Sequence, residues 1–148
     1  MLLGGLRRQH GFAAAADGIP LQWRELRALG RLPGQVGDTA YGVICGADAT
    51  AFEYMCAVEV AALEPLPREY GRLRLLQQHY AVFQHVGPVT GIRGTWERVF
   101  TWLAGSGFES AHKPDFEVYG SNFAPDSGLG GAEIWLAVVR RGSRADPD

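Results

Sequence analysis

Two stretches of the chain share one spacing of apolar residues. Residues 18–26 read GIPLQWREL and residues 91–99 read GIRGTWERV, so Gly, Ile and Trp recur in step, followed by a charged pair and a branched aliphatic. In the second copy Ile92, Trp96, Val99 and Leu103 fall on one stripe of an amphipathic helix; in the first, Ile19, Trp23, Leu26 and Gly30 do the same. Pro20 is expected in the first turn of its helix, where a missing N–H costs nothing. The flanks also match. A short apolar run, Met1 to Leu6, precedes the first helix, and LRLLQQHYAVFQHVG, a clearer strand, precedes the second. Behind the first helix come YGVICG and FEYMCAVEV, and behind the second come FEVYGSNF and AEIWLAVVR, the latter pair joined by a Gly-rich loop at 124–131. The pattern predicts an α+β chain built from duplicated strand–helix–strand–strand modules. Neither module buries both its faces alone, so the two are expected to pair about a pseudo-twofold axis. The joint, LEPLPREYG, carries two prolines that interrupt regular structure. The expectation is a single domain over 1–141 with repeats at about 1–62 and 72–140, and a frayed polar tail at 142–148.

Composition narrows the function more than the fold. A chain of 148 residues with 47% hydrophobic and 20% charged residues is an ordinary globular domain. Its formal net charge of −2 argues against a nucleic-acid duplex as partner. No apolar run approaches the ~20 residues of a membrane span, and the N-terminus has no signal-peptide pattern. Cys45 and Cys56 lie in strand-like segments and are expected to be buried and reduced, as in a cytoplasmic protein. The phosphate-loop, nucleophile-elbow and HExxH patterns are missing. His10, His79, His85 and His112 make no ligand pair, so neither a metal nor a cofactor is expected.

What remains is aromatic side chains and carboxylates on strands. Tyr41, Tyr54, Tyr80, Phe83, Trp102, Tyr119 and Trp135 are candidates for an apolar pocket with a few placed polar groups. Alternation in DFEVY puts Phe116 and Val118 on one face, Glu117 and Tyr119 on the other. On the next strand Trp135 shares a face with Glu133. Periodicity alone favours an outward Glu117, and Glu53 in the matching FEY of the first half shows that the pattern can be decoration. Turned inward, it would be costly unless a partner neutralised it. A cation 4 Å away would gain about 4 kcal/mol at an effective dielectric near 20, and each aromatic face ~0.5–2 kcal/mol.

A resemblance changes that weighting. The stretches YGVICG, FEYMCAVEV, YAVFQHVGPV, TWERVFTWLAGSGFE, PDFEVYGSNF and EIWLAV resemble, in order, the GyrI-like small-molecule-binding domain, the effector-binding domain of AraC- and MerR-type multidrug regulators. The resemblance implies a curved antiparallel sheet carrying two main helices, with a central ligand cavity between the modules. It also implies that Glu117, at the acid of the FE-x-Y strand, faces the cavity and pairs with lipophilic cations. Tyr119, Trp135, Tyr41 and Tyr54 match pocket-lining strand positions. Ala137 stands where the family usually has proline. Only about 40 residues precede Tyr41 and the first strand and helix use them, so no helix-turn-helix segment is expected and no direct nucleic-acid binding. The implied function is a stand-alone, non-enzymatic binder of lipophilic, cationic small molecules, acting as a sensor or by sequestration. Two alternatives stay open: a hydrolase of electrophilic toxins with Glu117 as its catalytic group, and a module for a protein partner such as DNA gyrase or a separate regulator.

Overall fold

The computed structural model describes residues 1–142; the tail expected from 142 onward lies, past Gly142, outside the described residues. The fold is α+β, with two helices and antiparallel strands. By internal contacts the chain divides into two units, Met1–Leu76 and Gln77 onward.

The first unit contains β1 (Leu2–Gly11), α1 (Ala15–Ala28), β2 (Gln35–Ala47), β3 (Ala51–Val60) and β4 (Gly71–Arg74). Its strand order is β4-β1-β3-β2. α1 lies on one sheet face, where Leu26 and Leu32 pack with Leu6, Tyr54, Cys56, Val58 and Val60, and Ile19 and Trp23 close the edge of this core. Each such side chain removed from water contributes about 1.5–3 kcal/mol. The helix ends at Gly30, whose φ of 71° is a left-handed conformation that glycine adopts without a Cβ penalty. Gly5 is demanded by proximity: a Cβ there would stand 2.0 Å from the Cys56 carbonyl oxygen.

The second unit contains β5 (Tyr80–His85), a 3-10 turn (Val89–Gly91), α2 (Ile92–Gly105), β6 (Phe108–Ser110), β7 (Asp115–Tyr119) and β8 (Ala132–Arg140). β8 is central, with β5 on one edge and β7 and β6 in succession along the other. The expected stripe of α2 packs as a unit: Ile92, Trp96, Val99 and Leu103 meet Ile134, Leu136 and Val138 of β8. Arg141 closes the C-terminus of α2 by donating to the carbonyls of Leu103, Ala104 and Ser106.

The topologies of the two units match. In each, the first strand pairs with the last and the middle strand flanks the last: β1-β3-β2 and β5-β8-β7. Three expectations are corrected. The run 73–87 is two strands, since β4 pairs with β1 while β5 pairs with β8. Pro20 sits inside α1, which starts five residues earlier at Ala15, because small residues form its first turn. Cys45 is only half-buried, whereas Cys56 is fully buried. Among the described residues no helix is long and apolar enough to cross a membrane.

Candidate functional site

Glu117 sits in the middle of β7, and the register of the sheet decides its surroundings. Phe116 pairs with Trp135 and Glu117 with Ile134, while Ile134 pairs on its other side with Phe83 of β5. Glu117, Ile134 and Phe83 therefore share a face, and α2 covers it through contacts to Ile134. Glu117 is buried, with 6% of the residue's surface exposed. One oxygen, Oε2, accepts from the Trp96 indole Nε1–H of α2 at 2.8 Å. The other, Oε1, accepts from the Tyr119 hydroxyl at 2.7 Å. Tyr119 reaches it because residues two apart on a strand share a face. Trp96 reaches it because the apolar stripe turns the indole toward the sheet. The donors carry rings of their own: Tyr119 lies 4.8 Å from Phe123 and Trp96 stacks on Phe100 at 5.7 Å. Phe100 is half exposed. The result is a carboxylate held by two neutral ring donors and set among aromatic carbon. Hydrogen bonds to a charged acceptor are worth about 1.5–3 kcal/mol each, so the pair offsets much of the cost of burying the group.

The other candidate residues fall into separate groups. Trp135 lies on the sheet face opposite Glu117, stacked on Phe116 at 5.5 Å and edge-on to Tyr80 at 5.5 Å. Its indole donates to Glu133 at 3.3 Å, and Glu133 also accepts from Gln84 at 2.8 Å. Trp135 is thus not part of the Glu117 constellation. Phe83 and Trp102 form their own edge-on pair at 5.1 Å, across β8 from Glu117. At the start of β7, burial raises the pKa of Asp115 to about 6, against the lowering effects of the Ala137 N–H bond and of His112.

In the first unit Tyr54 is buried on the helix face and its hydroxyl accepts from Trp23 Nε1–H at 3.2 Å. Tyr41 lies on the opposite face, paired with Ala57, and burial raises its pKa, with the charge of Glu59 adding to it. Glu53 accepts from Arg7 Nε at 3.1 Å and is half-buried in an ion pair. The two FE-x-Y-like strands therefore use their acids differently. A shallow cavity of about 280 Å³ lies at the β2–β3 turn, lined by Gln9, Asp48, Phe52 and Glu53 among others. It lacks an aromatic donor set around a buried charge. Among the described residues no cluster of three metal-ligating side chains occurs.

Several residues escaped the sequence reading. Trp96 was visible as a repeat position, but nothing in its spacing shows that its N–H reaches a strand. Phe123 and Phe100 had no signal of their own. The residue before each repeat tryptophan is also buried and bonded to a histidine of the preceding strand. Gln22 accepts from His10 Nε2–H at 2.6 Å and donates to the carbonyls of Leu6 and Tyr54. Thr95 lies 2.6 Å from His85 Nδ1, and His85 Nε2–H donates to the Pro88 carbonyl at 2.8 Å.

Comparison with known proteins bears on this arrangement. The model of the GyrI-like small molecule binding domain matches residues 1–139. The chain belongs to that family. Over 87 residues this GyrI-like domain is 30% identical to the transcriptional regulator BrlR of Pseudomonas aeruginosa, a match covering 58% of this chain and 32% of that regulator. The chain thus spans about a third of the length of the curated relative it matches. Among solved structures, SAV2435 bound to tetraphenylphosphonium superposes with a TM-score of 0.73 at 20% identity, covering 94% of this chain and 88% of that one. An integron cassette protein of Vibrio cholerae gives 0.69 at 18% identity, over 94% and 90% of the two chains. The C-terminal domain of EcmrR gives 0.58 at 16%, over 94% and 91%. These likenesses establish the fold of the GyrI-like domain.

Proposed function

We propose that the chain binds lipophilic organic cations, with the Glu117 carboxylate as counter-charge and the rings of Trp96 and Tyr119 as the apolar and cation–π contacts. The observation that carries this reading is the burial of Glu117 under α2 with each oxygen held by a ring donor. Neutral donors orient a carboxylate without cancelling its charge, and aromatic surroundings keep the effective dielectric low, which lengthens the reach of that charge. Flat or spherical cations with delocalised charge suit such a place, because their dispersed charge is weakly hydrated and costs little to desolvate. Membership of a small-molecule-binding family and the tetraphenylphosphonium bound to SAV2435 support the same class of ligand. In the cell the module would act by sequestering such compounds or by reporting their presence to a regulator.

The test is a calorimetric titration of tetraphenylphosphonium into wild type and Glu117→Gln. The cation's desolvation is common to both proteins, so the variant loses only the charge–charge attraction, about 4 kcal/mol at 4 Å and ~2 kcal/mol at about 8 Å, and is expected to bind at least about 30-fold more weakly. Equal affinity in the two proteins would remove Glu117 from the reading.

A further inference from the structure

Among the described residues β5 is bonded along one edge, to β8 in the register Tyr80↔Ala137 through His85↔Ala132. Among the described residues no strand lies on its other edge. Which backbone groups point outward follows from Ala137. Its N–H donates to Asp115 Oδ1 at 2.8 Å and its carbonyl accepts from the Ala111 N–H at 3.0 Å. Both groups turn away from β5, so Tyr80, directly opposite, turns its own N–H and C=O away from β8. His79 does the reverse, its carbonyl accepting from the Val138 N–H at 3.0 Å. Alternation then leaves Tyr80, Val82 and Gln84 presenting their backbone groups on the outer edge.

Edges of this kind are normally blunted by lysine, proline, bulges or short length. The segment YAVFQH has no Lys, Arg, Asp, Glu or Pro, and its pairing with β8 runs without a register shift. Apolar side chains collect around it. Val82 is 45% exposed, Val86 just beyond the strand 87%, and Trp102, packed on Phe83, 39%.

We propose that β5 seats a second copy of this chain, edge to edge and antiparallel, about a twofold axis through Val82. A twofold perpendicular to the sheet keeps each face on its own side, so opposed residues must have the same parity, and an axis through Val82 meets this condition. Val82 then exchanges backbone hydrogen bonds with its own copy, and Tyr80 with the partner's Gln84, which uses the outward groups of all three residues. On the face of α2, small Ala81 meets the partner's large Phe83, and Trp102 extends the apolar surface over the seam. No charged side chain of the strand opposes another, so nothing repels the copy. A self-complementary strand satisfies both halves of the contact with one sequence, which is why a second copy rather than an unrelated chain is the occupant.

The test is sedimentation equilibrium of the full chain from about 1 µM to about 500 µM. Wild type is expected to show a monomer–dimer equilibrium. Val82→Lys and Val82→Glu each place like charges about 5.5 Å apart between Cα atoms and are expected to weaken it about tenfold or more. An equimolar mixture of the two variants is expected to regain the dimer, because the opposed pair is then of opposite charge. Val82→Pro removes an outward N–H without touching the ladder to β8, and is expected to be monomeric with an unchanged circular dichroism spectrum. A wild type that stays monomeric throughout, variants that associate like wild type, or a mixture that fails to restore the dimer would each overturn the proposal.

Discussion

The hydrogen bond from Trp96 to Glu117 couples α2 to β7, and its strength can be isolated. The perturbation is Trp96→Phe, alone and combined with Glu117→Leu. In the wild-type background the substitution deletes the 2.8 Å donor to Oε2, leaving a buried carboxylate one bond short. Such bonds to a charged acceptor are worth about 1.5–3 kcal/mol, and the smaller ring loses contact with Phe100 as well. In the Glu117→Leu background the bond is already gone, so only the ring contribution remains, and it cancels in a double-mutant cycle. A coupling of ~2 kcal/mol is expected, which at this chain length corresponds to about 4–8 °C in Tm. The readout is urea denaturation followed by far-ultraviolet circular dichroism, because tryptophan emission would itself change. The matching bond in the first unit, Trp23 to the Tyr54 hydroxyl at 3.2 Å, has a neutral acceptor. Trp23→Phe with Tyr54→Phe is expected to couple by ~1 kcal/mol or less. Additivity within about 0.5 kcal/mol for the Trp96–Glu117 pair would refute the reasoning. A coupling no larger than that of Trp23–Tyr54 would show that the carboxylate charge is not felt by the indole.

Two further predictions concern stability. Burial raises the folded-state pKa of Asp115 from 3.8 to about 6. The folded chain therefore binds more protons than the unfolded one between those values, and stability falls as pH rises through that window. Asp115→Asn keeps an oxygen to accept the Ala137 N–H; thermal melts should show it flatter between pH 4 and 6 and more stable at pH 7 by on the order of 2 kcal/mol. A wild-type-like pH profile in the variant would contradict this. Gly5→Ala drives a Cβ to 2.0 Å from the Cys56 carbonyl oxygen, where only backbone can yield. It is expected to cost ~3 kcal/mol or more, seen as a lower urea midpoint or loss of the folded form; a midpoint within error of wild type would contradict the close approach of β1 and β3.

The duplicated helix was readable because its stripe is a local property. Trp23 and Trp96 recur at fixed distance from Gly and Ile, and both pack as the spacing demands. The order strand, helix, strand, strand was readable for the same reason, but the short β6 between α2 and β7 was not. The division of 73–87 into β4 and β5 was not readable either, because the residue pattern of a segment does not say which neighbour each part will pair with. Likewise the polar residue before each repeat tryptophan differs between copies, Gln22 in one and Thr95 in the other, so nothing marked their shared burial.

Sequence alone determined which side chains of β7 lie together: alternation makes Glu117 and Tyr119 neighbours on one face whatever else the chain does. Tertiary structure decided what faces them. The loop from 120 to 131 leaves the register of β7 against β8 open, and a slip of one residue would exchange the faces of every side chain on the strand. The observed register sends Trp135 to the far side and brings the indole of Trp96 onto the carboxylate. Neighbours along a strand follow from covalent geometry, whereas neighbours across a sheet or under a helix depend on packing between segments far apart in the chain.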